Sequence, residues 1–158
     1  MSLTLGDRDA VQNRQNTVKV DLRALRQFLA SVRRELRLPN TDVTVRLVSD
    51  AEIQRLNRVY RKRNQPTDVL SFPAVGQRRL GRLRNRLPAE GKNEPLGDIA
   101  ISPATARRYA RKHGRSFIGE MRILILHGVL HLLGYDHEAD DGEMDRVETR
   151  FRQRLGLQ

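Results

Sequence analysis

The chain has no cysteine and no tryptophan, and only 4% of its residues are aromatic. Without cysteine it has no disulfides, no thiolate metal site and no thiol nucleophile. No apolar run reaches the roughly 20 residues that a membrane-spanning helix needs. The N-terminus lacks the basic-then-apolar pattern of a secretory signal. A soluble protein of the reducing cytoplasm is the expectation. Acidic residues are also few, 19 Asp and Glu against 30 Lys and Arg, for a formal net charge of +11. In a chain of 158 residues that excess points to a polyanionic partner, most simply a phosphate backbone. Anionic membrane fits less well, because no helix pairs a spare apolar face with a basic one.

Histidine is scarce too, but three of the four histidines fall within His127-Gly128-Val129-Leu130-His131-Leu132-Leu133-Gly134-Tyr135-Asp136-His137. His127 and His131 are four apart in an apolar run that reads as helix, which puts both imidazoles on one face. Gly134 suits a left-handed cap that ends the helix. The chain can then return His137 to the same point. Three nitrogens with one position left open is the arrangement of a catalytic Zn²⁺ rather than a closed structural one. Zinc peptidases carry H-E-x-x-H, with the Glu as general base. Here Gly128 stands in that place, so ordinary peptidase chemistry lacks its base.

Along the chain, residues 1–16 read as a flexible polar tail. Residues 17–158 read as one domain. Thr17 to Val20 looks like a short strand. Asp21 caps a helix with an apolar stripe at Leu22, Leu25, Phe28, Leu29, Val32 and Leu36. Asp42 to Ser49 alternates as a half-buried strand. Asp50 is expected to cap a second helix, with Ile53, Leu56 and Tyr60 turned inward. Val69 to Phe72 reads as a strand, residues 76–95 as a basic loop with five arginines between Arg78 and Arg86, and Leu96 to Ser102 as a strand. Ser102-Pro103 opens a helix that runs to about His113. The histidine helix starts near Ser116, and a last amphipathic helix carries Met144, Val147, Phe151 and Leu155. The fold expected is α+β (mixed α/β), a small mixed four-stranded sheet packed with about five helices, with the three-histidine site at the end of one of them.

The histidine segment, Pro66-Thr67-Asp68-Val69-Leu70-Ser71-Phe72-Pro73 and Leu96-Gly97-Asp98-Ile99, in that family's order, resemble the YbeY family of bacterial metal-dependent endoribonucleases. The resemblance implies cleavage of single-stranded RNA, with a role in rRNA 3′-end maturation and ribosome quality control. It implies one divalent ion, usually taken as zinc, on His127, His131 and His137. It places on Arg61 the arginine thought to engage substrate phosphate. Its partners would be rRNA, the small ribosomal subunit and ribosome-assembly proteins. A guanidinium suits the Arg61 role because it grips phosphate in a bidentate way.

Other side chains near the motifs have plainer readings. Asp136 is a turn residue or orients an imidazole. Asp68 is a turn or strand-start acid, and Asp98 lies at the core edge. Glu120 shares the histidine face, where it backs an imidazole or, as is commoner, meets solvent or a nearby arginine such as Arg122. Ser71 has no His-Asp frame for a nucleophile. Two rival functions use the same features: a peptidase-like zinc hydrolase, and a non-catalytic ribosome-assembly factor with a structural metal.

Overall fold

The computed structural model describes residues 10–38, 41–74, 94–136 and 141–157. Four strands and five helices form among them: β1 (Val11–Asn13), α1 (Leu22–Glu35), β2 (Thr41–Leu47), α2 (Asp50–Arg61), β3 (Val69–Pro73), β4 (Glu94–Ile101), α3 (Pro103–Lys112), α4 (Phe117–Leu132) and α5 (Glu143–Arg154). The strands lie in the order β1-β2-β4-β3. β1, β2 and β4 are parallel, and β3 runs antiparallel to β4. This is the mixed four-stranded sheet with five helices that the element order predicts.

Strand alternation sorts side chains onto two faces. Val11, Val45, Leu47, Ile99 and Ile101 join the main core with α1, α4 and α5. Val48, Leu70 and Ala100 face the other way and meet Ile53 of α2 in a smaller cluster. α4 is buried nearly all round, from Met121 to Leu132, and packs on both β3 and β4. Its apolar residues therefore form no single stripe, as expected of a central helix.

Gly128 explains how α4 lies so close to the sheet. A Cβ at that position would sit 2.8 Å from Ile99 Cδ1 and 2.9 Å from its Cγ2. Glycine lets helix backbone and β4 side chain touch directly. The position that carries the general base in zinc peptidases is here a packing surface.

Helix ends follow local chemistry. Asp21, Ser102 and Ser116 each accept a backbone N–H three residues on, as N-caps do. The cap of α2 differs from expectation: Ser49 accepts from Glu52, and Asp50 is the first helical residue. Asp50 is used elsewhere. Ser102 and Thr105 donate to its Oδ1 at 2.5 and 2.7 Å, and Arg108 donates to its Oδ2 at 3.0 Å. Burial opposes its ionisation, but these donors outweigh burial and hold its pKa below the usual value. The network ties the start of α2 to the start of α3.

Two further expectations are corrected. The first strand is Val11–Asn13, inside the segment expected as tail, and Thr17 to Val20 is not a strand. Val11 is fully buried and β1 pairs with β2, so a sequence too short to alternate visibly is fixed by its partner. Tyr60 is not inward: it is 63% exposed. Residues 1–9, most of the basic segment 76–95 and His137 lie outside the described residues. No described helix is long and apolar enough to cross a membrane.

Candidate active site

α4 delivers the two helical histidines to the rim of the sheet. The Nε2 atoms of His127 and His131 converge to 3.0 Å, one donating to the other, and their ring centroids lie 4.6 Å apart. His127 Nδ1 meets Glu148 Oε1 of α5 at 2.7 Å. Arg152, one turn along α5, donates to the other carboxylate oxygen at 3.0 Å. A carboxylate on Nδ1 keeps the proton there and leaves Nε2 for the cleft. With that tautomer His127 Nε2 accepts from His131 Nε2.

The donor set fits a divalent ion. Two nitrogens held at about 2.0–2.1 Å on a tetrahedral Zn²⁺ lie about 3.3 Å apart, close to the separation seen. Among the described residues no group of three metal-ligating side chains forms. α4 ends at Leu132, and Gly134 takes a left-handed φ of 97°. Its N–H bonds His131 carbonyl and that of Tyr135 bonds Leu130 carbonyl, at 3.0 and 3.1 Å. This turn puts Tyr135 and Asp136 on the wall of the histidine cleft.

The cleft has a volume of about 700 Å³ and lies between α4's end, the edge strand β3 and the turn after α2. Arg61, the last residue of α2, and Arg63 line it and are exposed. Their turn is built by a buried asparagine. Asn57 donates from Nδ2 to the Gln65 carbonyl at 2.9 Å and accepts at its own carbonyl from the Arg63 N–H at 3.2 Å. Lys62 takes the left-handed conformation that reverses the chain. The structure thus brings Arg61, His127 and His131 to one cleft.

Asp68 faces the same cleft. Burial raises its carboxyl pKa, against the lowering effect of the Asp68 and Val69 backbone N–H groups. The charge of Glu120 also raises it, and that of His127 lowers it. Glu120 itself is buried and accepts from Arg115 at 3.1 Å, not from Arg122. Ser71 donates to the Gly128 carbonyl at 3.2 Å, so its hydroxyl anchors α4 to β3. Asp98 pairs with Arg46 at 3.2 Å on the opposite face of the sheet.

Glu148 and Asn57 are the site residues that sequence reasoning missed. Glu148 stands next to Val147 on the apolar side of α5 and is only 12% exposed, an unusual place for an acid. That position, four residues before Arg152, was the available signal. Nothing local marks Asn57, whose partner lies eight residues on.

Converging imidazoles, one of them held by a carboxylate, beside exposed guanidinium groups in an open cleft are the features of a metal-assisted hydrolase site. The whole-chain comparisons agree. The family model described as Endoribonuclease YbeY matches residues 10–156. The endoribonuclease YbeY of Solibacter usitatus is 47% identical over 70% of this chain and 64% of its own length. That of Sulfurovum is 38% identical over 90% of this chain and 88% of its own length. The solution structure of TM1509 from Thermotoga maritima superposes with a TM-score of 0.59 at 25% identity, covering 92% of this chain and 88% of that one. The chain belongs to the endoribonuclease YbeY family, a family of enzymes that are generally metal-dependent.

Proposed function

We propose that this chain cuts single-stranded RNA by metal-assisted hydrolysis, acting in the cytoplasm on the 3′ ends of rRNA and in ribosome quality control. The observation that carries the reading is the convergence of His127 and His131 Nε2 atoms at 3.0 Å in a cleft shared with Arg61. His127, His131 and His137 would hold the ion, taken as Zn²⁺. When bound, such an ion supplies an acidified water and Lewis-acid polarisation of a phosphoryl oxygen.

The chain's own residues do the remaining work. Glu148, braced by Arg152, fixes the His127 ring and its tautomer. Asn57 shapes the turn that holds Arg61 and Arg63 toward the cleft. Arg61 grips the scissile phosphate and offsets the charge that builds on its oxygens. The basic excess of the chain draws RNA in with little regard to sequence. Gly128 cannot take a proton and leaves no room beside Ile99 for a residue that could, which disfavours the peptidase reading. Small-subunit and assembly-protein partners belong to the same proposal.

The test is cleavage of a labelled single-stranded rRNA fragment by wild type, His131→Ala and Arg61→Ala, with metal content measured on each. His131→Ala is expected to lose metal and cleavage together. Arg61→Ala is expected to keep metal and lose cleavage by about a hundredfold or more. A metal-loaded wild type that leaves rRNA intact, free or within the small subunit, contradicts the nuclease reading and favours an assembly role.

A further inference from the structure

The face of the sheet turned away from α4 is only partly closed. α2 covers Leu70 and Ala100, and beyond them a second groove of about 1280 Å³ crosses β2, β4 and β3. With strands about 4.8 Å apart, its floor from β1 to β3 is about 14 Å wide. Register places Phe72 beside Asp98 and Gln12 beside Arg46 on that floor. Tyr60 stands at one end, 63% exposed, its ring edge-on to Phe72 at 5.1 Å. Arg14, just past β1, lines the other end.

The charges there do not cancel. Arg46 pairs with Asp98 and Arg55 with Glu52. The Arg14 guanidinium donates to the neutral Gln12 side chain, and among the described residues no carboxylate holds Arg14 or Arg61. The surplus is therefore positive at both ends. The groove is also continuous with the histidine cleft: Arg61, Ser71 and Pro73 line both, around the outer edge of β3.

We infer that this groove carries the single-stranded RNA flanking the bond to be cut, with phosphates running from Arg61 to Arg14 and a base stacked on Tyr60. The inference rests on the endoribonuclease reading. An exposed ring beside a one-sign charge surplus is the pattern of single-strand binding surfaces, where bases stack on aromatics and cations follow the backbone. A protein partner fits less well, because the accessible apolar surface there centres on one ring while the surplus charge is all of one sign.

The test compares binding of single-stranded RNA of about 4 and about 16 nucleotides, with divalent ions chelated so that no strand is cut; this is the span over which such surfaces act. Wild type is expected to bind the longer strand more tightly. Tyr60→Leu is expected to lose about tenfold on the longer strand. Arg14→Ala is expected to lower the slope of log affinity against log salt by about one. A 4-thiouridine in the longer strand should cross-link to the peptide containing Tyr60. Wild-type affinity and salt slope in both variants overturns the groove. Should variants that keep RNA affinity and salt slope lose binding to small-subunit proteins stripped of rRNA, the face serves a protein instead. Cleavage of ordinary RNA by wild type, run alongside, separates the two failures. Cleavage without any gain from length removes only the groove, whereas metal-loaded protein that cuts neither length removes the nuclease reading itself.

Discussion

On one face of the sheet Val45, Leu47, Ile99 and Ile101 lie under α1, α4 and α5. On the other, Arg46, Asp98 and Phe72 lie beside α2 and remain reachable from solvent. The covered face is packed tightly enough that a Cβ at Gly128 would meet Ile99, and its rim carries the converging imidazoles. The open face tolerates charge and an exposed aromatic ring. A rigid helix packed on the covered face sets imidazole positions to fractions of an ångström, which metal binding demands. A surface that follows a flexible strand has no such need. The difference can be tested by perturbing matched residues on the two faces.

The largest effect is expected from Gly128→Glu, which writes the peptidase motif into α4. The new Cβ would meet Ile99 at 2.8 Å, and a carboxylate would enter a buried interface. Overpacking and charge burial together should cost on the order of 4 kcal/mol or more. Urea denaturation reads this directly, and the variant should show no gain of peptidase activity. A variant as stable as wild type would mean that α4 does not pack on β4 as described.

Next is Arg115→Ala, which strands the buried Glu120 carboxylate beneath the cleft. Breaking a pair on its buried side costs about 3 kcal/mol. Glu120→Gln in the same background should recover part of that loss, since it removes the stranded charge. Both are read by denaturant midpoint at unchanged slope.

Glu148→Ala probes the rim rather than the core. It removes the hydrogen bond that fixes His127, so metal affinity should fall about 10–100-fold; it also breaks the Arg152 pair, so stability should fall as well, by less than in Arg115→Ala. Competition against a chromophoric chelator measures the affinity. Unchanged affinity would show that Glu148 does not orient His127 for the ion.

Much of this architecture was legible in the chain, for identifiable reasons. Leu25, Phe28, Leu29 and Val32 repeat with helical period and are all buried. Ser102-Pro103 and Ser116 announce helix starts by local hydrogen bonding. Glycine at 134 announces the end of α4. The histidine pair is legible because i, i+4 spacing alone sets its geometry. What failed depends on partners distant in sequence. β1 is three residues long and exists because β2 accepts it. Tyr60 sits where the α2 stripe predicts burial, but α2 lies over the sheet's edge and its last turn runs past the core. Glu148 meets its histidine across 21 residues, a relation no local pattern carries.

Asp68→Asn sharpens the rim by pH. Burial raises the native Asp68 pKa above the ordinary 3.8. An acid raised in this way contributes most to stability below pH 3.8, where it is protonated in both states, and loses that contribution as pH rises through its native value. The asparagine variant of the metal-free protein should therefore be the more stable one at pH 7. The gap should close as pH falls and vanish below 3.8. A gap that widens toward acid would show that the Asp68 and Val69 amides dominate over burial.

The smallest effect belongs to Asp98→Asn on the open face, and it makes the comparison quantitative. Its ion pair with Arg46 is 3.2 Å long, nearly the 3.1 Å of Arg115 and Glu120, so distance alone predicts equal worth. Burial predicts otherwise. The Asp98 and Arg46 side chains are 45% and 41% exposed, whereas Glu120 is 5% exposed. Water and salt screen the first pair and scarcely reach the second. Loss of Asp98 should cost under about 1 kcal/mol, and less at high salt. The Arg115 loss should be nearly insensitive to salt. Because Asp98→Asn also removes a negative charge from the groove floor, it should leave stability almost intact while strengthening binding of the longer RNA. A destabilisation equal to that of Arg115→Ala would show that the open face is as structural as the covered one, and the distinction between them would fall.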